Sequence, residues 1–507
     1  MLNSIKTKLS IIYVFSIFII LTSCIQGTKP PTSPPTASST EEPYTPKIFM
    51  KTSISDDPTS RRQEMELTFI DKDGNTMDGL DVSIKQVDLD FLFSIEYGDI
   101  SPQDFTSKYE QQYWDTGINT WRYGLYFLWS MIEPNQDDFR WWLDYPAMFC
   151  PEIQVGEQET CTPKQWQMPN LSTDRMDRMF ATADMGLYPP NHQGLVDGGN
   201  IPAWTDPADI DGRFKENYGD FLRAVVTHYK GTIDVYRIAL ESNFGTWNGG
   251  LDKKDYAWLT DWIVWQCDTI KGIDPGARIS IDMIDMYNAF PDQDPQTLDW
   301  SVIGRPNPMW EMQFTQLLID AGAKFDLIGI EYHPGWNNSL EQVDENLHRL
   351  EEFGKPIYVW EFFVPSEEEP QVIKSCTNAG VCPETGYSEA FQSEMALDFF
   401  KLIIENHPSV VGIEYLGLVD DPDINMGPEV PSYVGLLHSD GSPKQIYSTI
   451  QGYWFSLFVN DDLVTNSQGQ TRFNAIPGWF EVTVNGQSIM IKITRETNGN
   501  IIQIPKQ

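Results

Sequence analysis

The chain has 507 residues and a formal net charge of -38 at pH 7, and aromatic residues make up 13% of it, including 17 Trp. A surface this acidic repels nucleic acid and anionic lipid, so a neutral ligand is favoured and a nucleic-acid partner is not. The length exceeds one ordinary domain, and we therefore expect a large domain with smaller additions.

The N-terminal segment has the features of an export signal. Lys6 and Lys8 precede an apolar run from Ile11 to Leu21, which is too short to span a bilayer as a stable helix. The run ends in Leu21-Thr22-Ser23-Cys24, and small residues before a cysteine resemble the bacterial lipobox. We predict a lipoprotein signal peptide over residues 1–23, with Cys24 as the lipidated first residue. An ordinary signal peptide and an uncleaved anchor are the alternatives.

The following segment, residues 24–48, is rich in Pro, Thr and Ser and cannot bury a core. It is predicted to be a semi-extended tether that lifts a domain off the membrane. Loss of the signal segment removes two lysines and no acidic residue, so the mature charge is near -38 - 2 = -40. The predicted location is extracytoplasmic, with the protein lipid-anchored to the bacterial cell envelope.

The other cysteines fit an oxidising compartment. Four fall in two close pairs, Cys150 with Cys161 and Cys376 with Cys382, and each pair would close a short loop as a disulfide. Cys267 is predicted to be a small core residue on a helix. Neither pair has the CxxC spacing of zinc ligands and the six histidines are scattered, so no metal site and no cofactor are predicted.

Residues 49–88 read as a β-rich segment. Apolar and polar residues alternate around Asp71-Lys72-Asp73-Gly74-Asn75, as in a hairpin. These acids imitate the start of a calcium loop. Thr76 occupies the position of the loop glycine and no Glu closes the loop, so the pattern favours a turn.

From residue 89 to 452, short apolar strands alternate with longer helical stretches. Eight strands with intervening helices predict an α/β fold, a (β/α)₈ TIM barrel. The predicted strands lie near Phe91–Ile95, Thr120–Tyr126, Gly186–His192, Ile233–Leu240, Ala277–Ile281, Leu327–Tyr332, Ile357–Trp360 and Val410–Leu418. The predicted helices are Phe214–Tyr229, Ala257–Ile273, Glu311–Ala321, Leu340–Phe353 and Ser388–Glu405.

The last segment, residues 453–507, is predicted to be a C-terminal β-rich module. Asn485-Gly486 separates two alternating runs, which is the strongest short-range signal for a hairpin. The module could pack with the N-terminal β segment.

Two glutamates end short apolar runs of the predicted barrel. Glu241 follows the fourth strand and Glu361 ends the seventh. Barrel enzymes place their chemistry at the carboxyl ends of the strands. Two carboxyl groups that converge there are the parts needed to hydrolyse a glycosidic bond.

Several motifs follow one another in a specific order. Trp129-Ser130-Met131-Ile132-Glu133-Pro134 comes after the second strand, and Ile201-Pro202-Ala203-Trp204 comes after the third. Tyr229-Lys230-Gly231 leads into the fourth strand, and Ile328-Gly329-Ile330-Glu331-Tyr332-His333 spans the sixth. Gly435-Leu436-Leu437 follows the eighth. In these motifs and their order the chain resembles glycoside hydrolase family 10, the endo-β-1,4-xylanase family of retaining barrel enzymes.

The resemblance implies a division of labour. Glu241 takes the acid/base position, Glu361 the nucleophile position, and His333 the position that hydrogen-bonds the nucleophile. A retaining mechanism places the two carboxyl groups about 5–5.5 Å apart, with one protonated and the other ionised.

Four further residues are candidate substrate contacts. By the resemblance, His192 hydrogen-bonds a sugar hydroxyl, although a histidine satisfied within the barrel is the alternative. Trp204 and Trp247 are either stacking platforms or packing residues. Glu331 replaces a neutral glutamine of the family and adds a third acid, which could read the substrate.

The chain also departs from the family. Its Asn-Glu-Pro segment is Leu240-Glu241-Ser242 here, so the amide that contacts the sugar next to the scissile bond is missing. Positions that grip or stack on the sugar in the family are occupied by aliphatic residues, namely Leu125, Leu128, Val196 and Leu416.

Three hypotheses follow. The first is a retaining hydrolase of a β-linked polysaccharide, xylanase-like but with altered glycone subsites. The second is a non-catalytic, lipid-anchored glycan-binding protein. The third is a hydrolase of the same mechanistic clan that acts on a different sugar.

Overall fold

A computed structural model describes residues 47–53, 61–96, 108–123, 129–139, 141, 180–184, 202–206, 209, 211–244, 256–285, 309–420, 431–495 and 498–502. All of them belong to one compact unit, Thr45–Gln507. Within these ranges, no helix combines the length and the apolar character needed to cross a bilayer.

The strands, in chain order, are β1 (Lys47–Ser53), β2 (Gln63–Ile70), β3 (Asp81–Leu89), β4 (Leu92–Glu96), β5 (Thr120–Tyr123), β6 (Phe180–Asp184), β7 (Val235–Ile238), β8 (Arg278–Ile284), β9 (Leu327–Glu331), β10 (Ile357–Phe362), β11 (Val410–Leu416), β12 (Asn460–Val464), β13 (Gln470–Ala475), β14 (Gly478–Val484), β15 (Gln487–Ile493) and β16 (Asn498–Ile502). The helices are α1 (Glu110–Asp115), α2 (Trp129–Ile132), α3 (Arg213–His228), α4 (Tyr256–Ile273), α5 (Glu311–Asp320), α6 (Leu340–Glu351), α7 (Pro370–Ala379), α8 (Glu389–Lys401) and α9 (Gln445–Ser456).

The strands β4 to β11 form one parallel sheet in the order β4-β11-β10-β9-β8-β7-β6-β5. Sequential parallel neighbours with helices between them are the arrangement of a (β/α)₈ barrel, so the predicted fold class is confirmed. All five predicted helices are present, with starts that differ from the prediction by at most one residue. The helices α1, α2, α7 and α9 were not among those predicted.

The third barrel strand was predicted in the wrong place. It is β6, Phe180–Asp184, whereas the prediction placed it at Gly186–His192, which lies outside the described residues. Two alanines, Ala181 and Ala183, are buried in the core of the barrel domain. Alanine is depleted in strands, which is why this segment lacked the pattern of a strand.

Where the sheet would close, between β4 and β5, a buried asparagine joins the two strands. The backbone N–H of Asn119 donates to the carbonyl of Phe93 at 3.1 Å. Its side-chain oxygen accepts from the Phe93 N–H at 2.8 Å. Its amide NH₂ donates to the carbonyls of Leu89 at 3.0 Å and Phe91 at 2.8 Å. At this edge of the barrel, Asn119 therefore joins β4 and β5 through side-chain hydrogen bonds as well as one backbone hydrogen bond.

The terminal β segments come together in two four-stranded sheets, ordered β13-β2-β1-β16 and β12-β3-β14-β15. Side chains of both sheets share one apolar core, which includes Met65 and Phe473 from the first and Ile84 and Phe480 from the second. Each sheet combines strands from both ends of the chain, as a sandwich does. The predicted hairpin is β14–β15, and Asn485 at its turn has φ 52°.

A buried arginine links this β region to the last part of the barrel. Arg61, just before β2, donates from Nε to the carbonyl of Ile404 at 2.8 Å. Its Nη2 donates to the carbonyls of His407 and Val410, both at 2.5 Å. These acceptors lie between the end of α8 and the start of β11. One guanidinium therefore fixes the segment that leads into the last barrel strand.

Glycines on neighbouring strands make room for large aromatic side chains of β10. A Cβ added to Gly329 would lie 2.5 Å from the carbonyl oxygen of Ile281 and 2.6 Å from ring atoms of Trp360. A Cβ added to Gly412 would lie 2.5 Å from the ring of Tyr358. The Tyr358 and Trp360 rings stack with centroids 3.9 Å apart.

We expect Gly329→Ala to lower the free energy of unfolding by about 3 kcal/mol, since the new methyl group collides with backbone and with a ring that cannot move aside. Gly452→Ala in α9 is the control, because nothing lies within 4 Å of its Cβ position. Removing a helical glycine there should raise stability by roughly 0.5–1 kcal/mol. Denaturant unfolding monitored by Trp fluorescence measures both, and equal stabilities would contradict the packing described.

Candidate active site

Glu361 owes its position to a β-bulge in β10. Val359 pairs with Ile413 and Phe362 pairs with Tyr415, so β10 has one residue more than β11 between the two pairs. Glu361 is in this bulge and has φ 50°, a left-handed conformation that is rare outside glycine. Strict alternation would turn Glu361 away from the barrel axis once Trp360 faces inward. The bulge instead aims it at a cation inside the barrel.

Glu241 lies in a similarly strained turn, just after β7. Ala239 has φ 57° and Glu241 has φ 46°. The backbone N–H of Ser242 donates to the carbonyl of Ala239 at 3.2 Å, and the Ser242 hydroxyl donates to the same oxygen. Strain of this kind persists only where surrounding structure enforces it, and it concentrates at functional sites.

Asn243 ties the turn after Glu241 to β8. Its side-chain NH₂ donates to the carbonyl of Ile284 at 2.8 Å, and its side-chain oxygen accepts from the Ile284 N–H at 3.0 Å. The backbone carbonyl of Asn243 accepts from the Tyr256 hydroxyl at 2.9 Å. The segment that carries Glu241 is therefore fixed by buried hydrogen bonds rather than left as a free loop.

A buried arginine at the end of β7 gathers three carboxyl groups. Nη1 of Arg237 donates to Glu361 Oε1 at 2.8 Å. Its Nη2 donates to Asp282 Oδ2 at 2.5 Å and to Glu331 Oε1 at 2.9 Å. The side chains of Arg237, Asp282 and Glu331 are 1%, 0% and 2% exposed, whereas that of Glu361 is 22% exposed. Glu361 is thus the one of the three acids that solvent can reach.

The two deeper carboxyl groups hold protons more tightly than usual. Burial raises the pKa of Glu331 well above its ordinary value, and the charges of Glu361, Asp282 and Glu241 raise it further against the opposing effect of Arg237. Burial also raises the pKa of Asp282, in spite of Arg237. The influence of Glu241 on Glu331 places both catalytic candidates in electrostatic range of the same buried acid.

His333, which follows β9, lies beside Glu361. Burial lowers its pKa to about 4, although the charge of Glu361 and a hydrogen bond to the Glu361 backbone act in the opposite direction. Its ring centroid is 4.2 Å from that of Phe363 and 5.2 Å from that of Trp336. Its Nδ1 is 3.4 Å from the side-chain nitrogen of Asn337. His333 is therefore neutral at pH 7, and its contact with the nucleophile candidate is a hydrogen bond to the backbone of Glu361.

We expect His333 to make stability depend on pH below neutrality. Because the folded pKa of about 4 is below the ordinary histidine pKa of 6.5, the stabilisation is complete above pH 6.5 and is lost as the pH falls towards 4. This group alone should remove about 3 kcal/mol of unfolding free energy over that range. Denaturant unfolding at several pH values should show a smaller fall for His333→Gln than for the wild type. Parallel curves would contradict the burial of a neutral imidazole.

The other predicted site residues are partly accounted for. The indole N–H of Trp204 donates to the carbonyl of Glu133 at 3.1 Å, and its ring meets Trp129 edge-on at 5.7 Å. Trp204 packs against Trp129 in the structure, and its role as a stacking platform for a sugar stays a prediction. Cys376 and Cys382 form a disulfide with an S–S distance of 1.93 Å. The remaining predicted residues lie outside the described residues: Cys24, Cys150, Cys161, His192 and Trp247.

Sequence reasoning missed two residues of the candidate site, Arg237 and Asp282. Arg237 interrupts the apolar strand Val-Tyr-Arg-Ile, and Asp282 alternates with Ser280 within β8. Charged residues within buried strands must be paired. That requirement was the signal that could have revealed an ionic network inside the barrel.

One group in the described part of the chain could hold a metal ion. Ligand atoms of Asp344, His348 and His407 lie within 4.8 Å of one another. His407 is fully buried, with Nε2 2.9 Å from Asp344 and Nδ1 3.1 Å from Glu351. These residues lie on α6 and just before β11, so they are at the amino end of the barrel strands, away from the glutamates.

The sequence model of one protein family, described as Glycosyl hydrolase family 53, matches residues 305–418. This stretch includes β9, β10 and β11, and with them Glu331, His333 and Glu361; Glu241 lies before it. The match and the barrel topology together support a glycoside-hydrolase barrel of clan A. The matched family differs from family 10, which the motifs resemble.

One curated relative, "Uncharacterized protein in bgaB 5'region" from Niallia circulans, is 47% identical over 45 residues. That segment is 9% of this chain and only 12% of the relative.

Solved structures with a similar fold include xylanases. Xylanase 10B from Thermotoga petrophila RKU-1 in complex with xylobiose shares 15% identity, with a TM-score of 0.46 over 72% of this chain and 94% of its own. A GH10 protein from Paenibacillus barcinonensis shares 14%, with a TM-score of 0.46 over 73% and 96%. The catalytic core of a xylanase A shares 12%, with a TM-score of 0.48 over 71% and 96%. Likenesses of this size carry no information on substrate or catalytic residues.

Proposed function

We propose that the protein is a retaining glycoside hydrolase that cleaves a β-linked polysaccharide, with Glu361 as nucleophile and Glu241 as acid/base. One observation carries the proposal. Glu361 is hydrogen-bonded to buried Arg237 at the carboxyl end of the barrel, and Glu241 lies in electrostatic range of the same network. A glutamate from each of two strand ends is the equipment this reaction needs.

The proposed reaction has two steps. Glu361 attacks the anomeric carbon while Glu241 gives its proton to the leaving oxygen, which yields a covalent glycosyl-enzyme. Glu241 then takes a proton from water as the water attacks that carbon, and Glu361 departs as a carboxylate. The reaction consumes water and needs no cofactor.

The substrate we propose is a neutral polysaccharide. The chain carries a net charge of -38, and Glu361 is a partly exposed carboxylate at the site, so an anionic glycan would be repelled. Ser242, where family 10 has proline, bonds the carbonyl of Ala239, and Leu240 has no side-chain group to bond a sugar. These differences favour a hydrolase of the same clan with altered sugar contacts, and the family 53 match over β9 to β11 supports the same view.

The proposed location is the outside of the bacterial cell envelope, with Cys24 as the lipid attachment site. Its support is the order of charged, apolar and small residues that ends in Leu21-Thr22-Ser23-Cys24. Metabolic labelling with a fatty acid should mark the wild type and leave Cys24→Ala unlabelled.

A substrate screen tests the proposed activity. The mature chain should release reducing ends from one or more of xylan, mixed-linkage glucan, mannan and arabinogalactan. Glu241→Gln and Glu361→Gln should lose this release and keep the wild-type unfolding transition. Binding without turnover on every glycan would instead favour a glycan-binding protein, and turnover that survives both changes would remove the two glutamates from the mechanism.

A further inference from the structure

We propose that Arg237 is a positioning residue for the nucleophile, and that Asp282 and Glu331 beneath it share one proton, so that Glu361 is the acid of this cluster that stays fully ionised. This inference rests on the proposed function, since it concerns the same carboxylate. It assigns roles to three buried residues that neither step of the reaction uses.

The hydrogen-bond geometry carries the first half of the proposal. One guanidinium contacts Glu361 at 2.8 Å from Nη1 and the pair Asp282 and Glu331 at 2.5 and 2.9 Å from Nη2. Arg237 is 1% exposed, so it cannot turn towards water. A planar cation in this position fixes the Glu361 carboxylate in one orientation and favours its ionised form.

Arg237 is itself held by the aromatic interior of the barrel. Its guanidinium carbon is 5.1 Å from the centre of the Trp360 ring. The Trp360 indole N–H donates to Ser280 Oγ at 3.0 Å, and Tyr358 stacks on the ring at 3.9 Å. The Trp360 ring, which packs against Gly329 on one strand, therefore also supports Arg237, the cation that contacts Glu361.

Charge counting carries the second half. If Asp282, Glu331 and Glu361 were all ionised around Arg237, the cluster would carry a net charge of two negative units. Two of the three carboxylates, those of Asp282 and Glu331, have no access to water. Uncompensated buried charge costs several kcal/mol per ion, so such sites keep protons. Asp282 and Glu331 contact the same guanidinium nitrogen, and one proton shared between them leaves a single net charge, which belongs to exposed Glu361.

The surrounding groups agree with this count. The carboxyl of Glu241 approaches from the turn after β7, and His333, which is neutral, approaches from the end of β9. Arg237 is a cation in direct contact with the nucleophile candidate. A glutamine at position 331 would present the same shape as a protonated glutamate and would donate a hydrogen bond at every pH.

The decisive variant is accordingly Glu331→Gln. It should extend activity to higher pH, where the wild type loses its shared proton, and an alkaline limb of the pH profile at the wild-type pH would contradict that sharing. Arg237→Met should lower kcat by about 10²-fold and move the acid limb of the pH profile to higher pH, because Glu361 then ionises without a cation. Arg237→Lys should recover part of both. A Glu331→Gln loss as large as that of Arg237→Met, or an Arg237→Met acid limb at the wild-type pH, would overturn the proposal.

Infrared difference spectroscopy tests the shared proton without any substrate. At pH 7 the wild type and Glu241→Gln, which removes the proton of the acid/base, should both show the carbonyl band of a protonated carboxylic acid. Adding Glu331→Gln to Glu241→Gln should remove this band, and a band that Glu241→Gln alone removes would overturn the shared proton. No such band in the wild type would overturn the shared proton. If the band is present but no glycan is hydrolysed, the proposed function fails while the charge arrangement stands. If Arg237→Met does not fold, the triple variant that adds Asp282→Asn and Glu331→Gln removes the unpaired acids and replaces it in the test.

Discussion

Glu361→Ala should lower kcat/KM by at least about 10³-fold on the best polysaccharide, since removal of a nucleophile leaves no route to the glycosyl-enzyme. The protein should remain folded, because Glu361 is the most exposed acid of its cluster and water can take the place of its carboxylate beside Arg237. Glu367→Gln, an exposed carboxylate in the same connection after β10, is the matched control and should behave as the wild type.

Added azide separates the roles of the two glutamates. In Glu361→Ala, azide can occupy the place of the lost carboxylate and attack an activated β-glycoside directly, which gives a product of inverted configuration. In Glu241→Ala the glycosyl-enzyme still forms, and azide attacks it from the opposite face to give a product of retained configuration. Proton NMR of each glycosyl azide gives its anomeric configuration, and this configuration tests which glutamate is the nucleophile and which is the acid/base. The reverse pattern would exchange the two roles.

Arg61→Ala is expected to produce the largest loss of stability, about 4 kcal/mol, since the carbonyls of Ile404, His407 and Val410 lose their partner in a buried site. Burial lowers the pKa of this guanidinium to about 9, which reflects how completely it is removed from water. The guanidinium, which donates to backbone carbonyls and lies 4.8 Å from the centre of the Phe91 ring, orders the junction between the β region and β11.

Arg62→Ala is the matched control for Arg61→Ala. Arg62 is the next residue, is exposed, and donates a hydrogen bond of 3.2 Å to the carbonyl of Leu457. Its replacement should change the free energy of unfolding by less than about 1 kcal/mol. Urea unfolding of the two variants compares them directly. Equal losses of unfolding free energy in the two variants would show that the hydrogen bonds from Arg61 to the backbone carbonyls do not stabilise the contact between the β region and β11.

The barrel could be predicted from sequence because its strands and helices have strong periodic patterns. Long amphipathic stretches fixed the helices to within a residue at their starts, and apolar runs marked seven of the eight strands. The strand Phe180–Asp184 escaped because it is built from alanine and threonine, and its stability as a strand comes from pairing with β5 and β7 on both sides. Tertiary context determined that strand, and a single sequence does not display it.

The site could be predicted in part for a related reason. Apolar runs that end in Glu241 and Glu361 point to the carboxyl end of the barrel without any structure. The bulge that turns Glu361 inward is not visible in the sequence, because alternation from Trp360 predicts the opposite face. Arg237 could not be predicted from the sequence for another reason. It contacts three carboxyl groups that come from three later strands, and only the folded sheet brings them together.

Covalent trapping tests the central claim most directly. The wild type would be incubated with a 2-fluoro glycoside that has an activated leaving group and the sugar of its best substrate, so that the glycosyl-enzyme forms and its hydrolysis slows. Peptide mass mapping should find one glycosyl group per chain, attached to Glu361, and Glu361→Gln should carry none. A label on Glu331 or Glu241, or sustained turnover of natural substrate with no label on any residue, would contradict the account.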